Sequence, residues 1–271
     1  MTKNTCIIVG GKEFDTGIRV VLWNEEEGLS FYPNRKFHAR DWDLEECRKH
    51  IKAFYIHHSV TYTAHSTFRG LMARGLSCNF MIDDDIDPET GCATIYQHLD
   101  VKDGGWSQGG VHNHDGAGVE ICYYPDAWTT PDRYSAFNRK RFGVHQHPVV
   151  SDTIHGHKFN KCYGPTDAQV KACNRLAAAY CLAFPDMPRT FPRDVDGKFI
   201  STVLPDDKRV GLMHHFNVKR GKIDAMGYPT DQAEKDINKL VHEAELDQNR
   251  RRSGVISALE MIHKDKISQI D

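Results

Sequence analysis

Apolar positions along the chain fall into two rhythms. Compact runs rich in β-branched and aromatic residues, bounded by Gly, Asp, Asn or Pro, predict strands at GIRVVLWN (17–24), LSFYPN (29–34), FYIHHSVT (54–61), CNFMID (78–83), ATIYQHL (93–99) and GAGVEICYY (116–124). Three- and four-residue spacing predicts helices over DWDLEECRKHI (41–51), AHSTFRGLMARG (64–75) and TDAQVKACNRLAAAYCLAF (166–184). Asp41 or Asp43 caps the first, Gly75 ends the second, and Thr166 or Asp167 caps the third. An irregular stretch then leads to GLMHHFNV (211–218). From Asp231 the chain is charged, with apolar residues at Ile237, Leu240, Val241, Ala244 and Leu246, which predicts an amphipathic helix packed on the core or on a partner. Strands mixed with helices, without repeats or low-complexity linkers, indicate an α/β fold on one central sheet.

Composition narrows the function classes. The 271 residues are 39 % hydrophobic and 27 % charged, with a formal net charge of −2, so the chain lacks the charge excess of a nucleic-acid binder. The clusters Arg139–Arg141 and Arg250–Arg252 read as solvated faces. No run approaches the ~20 apolar residues of a membrane span, so membrane insertion is not expected. The opening MTKNTCIIVGGKEFDTG holds only a short apolar run, which does not make a secretory signal and points to synthesis in the cytoplasm. Eight cysteines are scattered through core-like segments without a Cys-x-x-Cys pair, and are expected to be buried free thiols in a reducing compartment.

Candidate chemistry gathers around histidine. In FYIHHSVT, His57 and His58 point to opposite faces of a strand, so one alone can serve a given site. A second pair, His214–His215, precedes Lys222 and Asp224. One histidine from each pair plus a nearby carboxylate would make a three-ligand zinc site with a fourth position for water. The same residues would equally serve as surface or hydrogen-bonded core histidines, and spacing leaves both readings open. Residues 103–116, DGGWSQGGVHNHDG, form a polar loop of the kind on which function collects.

The segments FYIHHSVT, CNFMID, IYQHLD…GGW, GAGVEICYY and HHFNVKRGKID occur in an order that resembles the zinc-dependent type 2 N-acetylmuramoyl-L-alanine amidases, a family that includes phage lysozyme-type amidases and peptidoglycan recognition proteins. The resemblance implies a single central mixed β-sheet flanked by helices, with an N-terminal extension over 1–48, a catalytic domain over 49–230 and a helical tail over 231–271. It implies one Zn²⁺ per chain held by His57, His214 and Asp224, with His58 structural and His215 in a variable position. Glu120 matches the acidic residue that activates water, and Lys222 the cation that stabilises the transition state. Trp106, Asn79 and His112 would line the substrate groove. Two departures stand out: Cys78 occupies the place of a common family tyrosine, leaving more of the work to Glu120, and AMGYP replaces the usual Pro-Gly after the third ligand. The implied substrate is peptidoglycan or its muropeptides, cleaved between N-acetylmuramic acid and L-alanine, as by a phage-type endolysin or cell-wall amidase. A cytoplasmic recycling amidase and a non-catalytic peptidoglycan-binding module are the alternatives.

Overall fold

The computed structural model describes residues 3–34 and 37–267. A hairpin opens the chain: β1 (Cys6–Val9) pairs antiparallel with β2 (Lys12–Asp15). Its two-residue turn, Gly10–Gly11, has φ of 56° and 72°, and a Cβ on Gly10 would lie 2.6 Å from the Leu44 nitrogen. β3 (Val20–Leu22) follows, then α1 (Leu44–His50), capped by the Asp43 side chain on the Glu46 amide. LSFYPN is not a strand: Tyr32–Asn34 form a 3-10 turn, and Pro33 has no N–H to give to a ladder.

The remaining elements are β4 (Ala53–His58), α2 (Ala64–Ala73), β5 (Phe80–Ile82), β6 (Ile95–Gln97), β7 (Gly116–Ile121), α3 (Ala136–Phe142), β8 (Val149–Ile154), β9 (His157–Tyr163), α4 (Asp167–Ala183), β10 (Gly211–His214) and α5 (Thr230–Ile267). Six strands form one mixed sheet in the order β10-β4-β7-β5-β6-β3. Every neighbouring pair is parallel except β5–β6. The N-terminal segment therefore supplies a strand of the central sheet as well as a hairpin beside it.

The sheet buries both faces, which is why its central strands read as unbroken apolar runs. On one face Phe54, Ile56, Phe80, Ile82, Val119 and Ile121 pack with α4, where Ala172, Leu176 and Ala179 are buried. Ala233, Ile237 and Val241 of α5 join the same core. On the other face Met81 and Cys122 meet Ala64 and Leu71 of α2. The helix α2 is held by a reciprocal cap between Thr63 and Ser66, and α4 by one between Thr166 and Gln169. All eight cysteines are free, seven of them buried.

Candidate active site

Strand register decides which histidines meet. β4 and β7 run parallel with His57 opposite Glu120, so both project on the face away from α4. β10 runs parallel to β4 with Met213 opposite Tyr55 and His214 opposite Ile56. His214 therefore shares the inner face with Ile56. It stacks on Phe191 and Phe216, and its Nε2 lies 2.9 Å from the Thr230 hydroxyl. His215, one step on, turns to the side of His57. The expected ligand His214 is thus corrected to His215, because alternation along β10 carries the even position into the core.

Three donor atoms converge there. His57 Nδ1 lies 2.9 Å from His215 Nδ1 and 2.9 Å from Asp224 Oδ2, and His215 Nδ1 lies 2.7 Å from the same oxygen. Among the described residues this is the one group of three or more His, Cys, Asp or Glu close enough to share a metal ion. Burial and the adjacent His215 push His57 down to about 4, so its ring is neutral at pH 7. Burial works to raise Asp224, yet the His215 and His57 rings against it hold its carboxyl well below the usual range.

The proton count shows why the trio suits a cation. Two Nδ1–H groups cannot face each other at 2.9 Å, so at least one Nδ1 is bare. That lone pair then points at a carboxylate oxygen under 3 Å away. A divalent ion between them removes the conflict, and two imidazoles with one carboxylate are a donor set that zinc accepts.

His58 points elsewhere: its Nδ1 accepts from the Met226 amide at 3.2 Å, and its ring packs on Tyr123. Glu120 and Lys222 line one cleft of about 560 Å³ together with His215, Asp224 and Arg74. Burial, then the Asp224 charge, raises Glu120 to about 8, while Lys222 and Arg74 oppose the rise. One of its oxygens, Oε2, is buried without a hydrogen-bond partner. This carboxyl can hold and release a proton near neutral pH.

None of the residues expected to bind substrate lines this cleft, although Ser107, next to Trp106, does. Asn79 is fully buried, donating to the Asp103 carbonyl at 2.9 Å and accepting from the Gly118 amide. His112 sits in a buried polar knot with Tyr55, Asp115 and Arg209. Trp106 packs against His38, 5.4 Å between centroids, and is not among the residues lining the cleft. The walls come instead from Arg74 and Gly70 of the α2 region, from Ser59–Thr61, and from Pro125, Asp126 and Trp128 after β7. Ser59–Thr61, in the FYIHHSVT run, and Ser107, in the polar loop 103–116, carried a sequence signal, whereas Arg74, Gly70 and Asp126 did not.

The family model described as N-acetylmuramoyl-L-alanine amidase matches residues 48–197, more than half of the chain. That span includes His57 and Glu120 and ends before His215, Lys222 and Asp224. No curated protein matches. One solved structure, the complex of the N-acetylmuramyl-L-alanine amidase AmiD from E. coli with the substrate anhydro-N-acetylmuramic acid-L-Ala-D-gamma-Glu-L-Lys, is 14 % identical with a TM-score of 0.43. The alignment covers 86 % of this chain and 65 % of that one, so the chain spans less than two thirds of its length.

Proposed function

Because the chain belongs to the N-acetylmuramoyl-L-alanine amidase family, we propose that it hydrolyses the amide joining the lactyl group of N-acetylmuramic acid to L-alanine in peptidoglycan, using one zinc ion per chain. The observation that supports this reading is the meeting of His57, His215 and Asp224 at the edge of the cleft that holds Glu120 and Lys222. His57, His215 and Asp224 hold the metal, which when bound acidifies water and polarises the scissile carbonyl. Glu120, opposite His57 across the strand pair, takes the proton from the attacking water and gives it to the departing amine. Lys222 offsets negative charge on the carbonyl oxygen. His57, Glu120, His215 and Asp224 are buried, which places them in a low-dielectric setting where each charge counts for more, while Lys222 is half-buried at the cleft wall.

The test is release of L-alanyl peptides from purified muropeptides, run alongside metal analysis. Glu120→Gln is expected to retain zinc and lose at least about 100-fold in turnover. Lys222→Ala is expected to retain zinc and lose roughly 10²–10³. Absence of cleavage by the zinc-loaded wild-type protein would leave the non-catalytic binding module as the reading. Comparing intact sacculi with soluble muropeptides separates a wall-degrading enzyme of the endolysin kind from a recycling one.

A further inference from the structure

The basic cluster Arg139–Arg141 falls in α3, on the connection from β7 to β8, and the cleft uses none of it. α3 is short but firmly set. The Ser135 side chain caps its first turn on the Asn138 amide, and Gly143 ends it with φ of 67°. Tyr134 before it and Val144 after it are buried in one small cluster, with Tyr62 packed against them. Between these two anchors no side chain of α3 is buried.

What α3 shows to water is apolar and cationic at once. Phe137 leaves 72 % of its surface exposed. With Trp128 and Phe142 on the same connection, it completes the exposed Phe and Trp side chains among the described residues. Lys140 and Arg141 stand three and four residues on from Phe137, hence on its side of the helix. α3 carries no acidic residue, and among the described residues Arg139, Lys140 and Arg141 form no ion pair, whereas the nearby Arg133 is neutralised by Asp126. Cations in a last turn offset the helix dipole, which accounts for their charge but not for a phenylalanine held in water beside them. A soluble polyanion would neutralise the cations and leave Phe137 in water. An anionic bilayer surface takes up both, with phosphates against the cations and the ring at the boundary of headgroups and acyl chains.

We propose that the outer face of α3, with Phe137, Lys140 and Arg141, docks on the surface of an anionic phospholipid bilayer. Such docking is peripheral: among the described residues no helix is long and apolar enough to cross a membrane. Phe142 stacks on Tyr62 at 4.7 Å between centroids, and Tyr62 follows Thr61 of the cleft wall, so a docked protein keeps its cleft close to the lipid. Docking does not depend on what the cleft hydrolyses.

Co-sedimentation of the full chain with vesicles of equimolar phosphatidylglycerol and phosphatidylcholine, against vesicles of phosphatidylcholine alone, tests it. The wild-type protein is expected to bind the anionic vesicles at least about 20-fold more tightly, and to leave them at high salt. The double variant Lys140→Gln/Arg141→Gln is expected to lose about 20-fold on anionic vesicles, roughly fivefold per cation. Phe137→Ala is expected to lose about tenfold. All three positions are exposed, so thermal unfolding of these variants is expected to match the wild type. In Phe137→Trp the added indole is expected to be quenched by lipid with brominated chains. Anionic binding unchanged in Phe137→Ala would make the occupant a soluble polyanion and overturn the bilayer assignment, as would equal wild-type binding to both kinds of vesicle, or binding to neither.

Discussion

Two adjacent histidines at the end of β10 face opposite ways: His214 closes the strand and His215 opens the turn that follows it. His215 reaches His57 and Asp224, whereas His214 is wedged between Phe191 and Phe216 and tied to Thr230. His215→Ala is expected to cut zinc affinity by at least about 100-fold. His214→Ala is expected to keep zinc affinity within a few-fold and to destabilise the fold by about 2–4 kcal/mol, through packing lost against Phe191 and Phe216. Metal analysis and denaturant unfolding of the two variants read these outcomes separately. His57, Asp224, Glu120 and Lys222, all named from motif resemblance, are brought together in and beside one cleft. Which member of the second pair joins His57 and Asp224 was not legible, because it depends on how β10 is registered against a strand more than 150 residues earlier. Two of the residues expected to bind substrate, Asn79 and His112, are buried and do not line the cleft. Asn79 and His112 are polar residues on promising loops, and only tertiary packing shows that their hydrogen bonds are already spent inside the protein.

Among the elements, those with strong local signals were the readable ones. Apolar runs gave away β3 to β7, and capping residues with helical spacing gave away α1, α2 and α4. The hairpin β8–β9 went unread because most of its side chains are exposed, so hydrophobic patterning was faint. Its turn did leave a trace: His155–Gly156, with φ of 53° and 76°, is the two-residue kind that favours a tight hairpin. The helix α5 shows how periodicity can be right and still understate a role. Its residues Ala233, Ile237 and Val241 are fully buried in the main core alongside α4, so the early turns of α5 are structural members of the domain. The last four residues of the expected tail, 268–271, lie outside the described residues. Ile237→Ala is expected to cost about 2–5 kcal/mol in chemical denaturation, the range for emptying a filled core position. A cost below about 0.5 kcal/mol would mean that the helix is an appendage.

At the scale of the whole molecule, burial of histidine makes stability depend on acidity. His98 stands outside the His57–His215–Asp224 group, packed among Phe31, Phe68 and Tyr96, with Nδ1 2.6 Å from the Leu29 carbonyl. Burial lowers it to about 4 from an ordinary 6.5. Above 6.5 neither state binds the proton. Between 6.5 and 4 the unfolded chain takes it up and the native protein does not, so stability falls as pH falls, by about 1.4 kcal/mol per unit for this one group. In His98→Asn the slope of unfolding free energy between pH 6 and 4.5 is expected to be shallower by about 1 kcal/mol per unit, whatever the change in absolute stability. An unchanged slope would mean that the His98 ring is already protonated in the native state. The sheet order has a consequence for timing as well. β10 is an edge strand with β4 as its single neighbour, and both His215 and Asp224 follow it in the chain. During synthesis, His57 emerges 158 residues before His215, so the three-residue group is completed only after the segment following β10 has been made. A cation shared by β4 and the segment after β10 would then act as a seam, stitching the sheet's most recently added edge to its interior, and its removal would loosen that edge before any other part of the sheet.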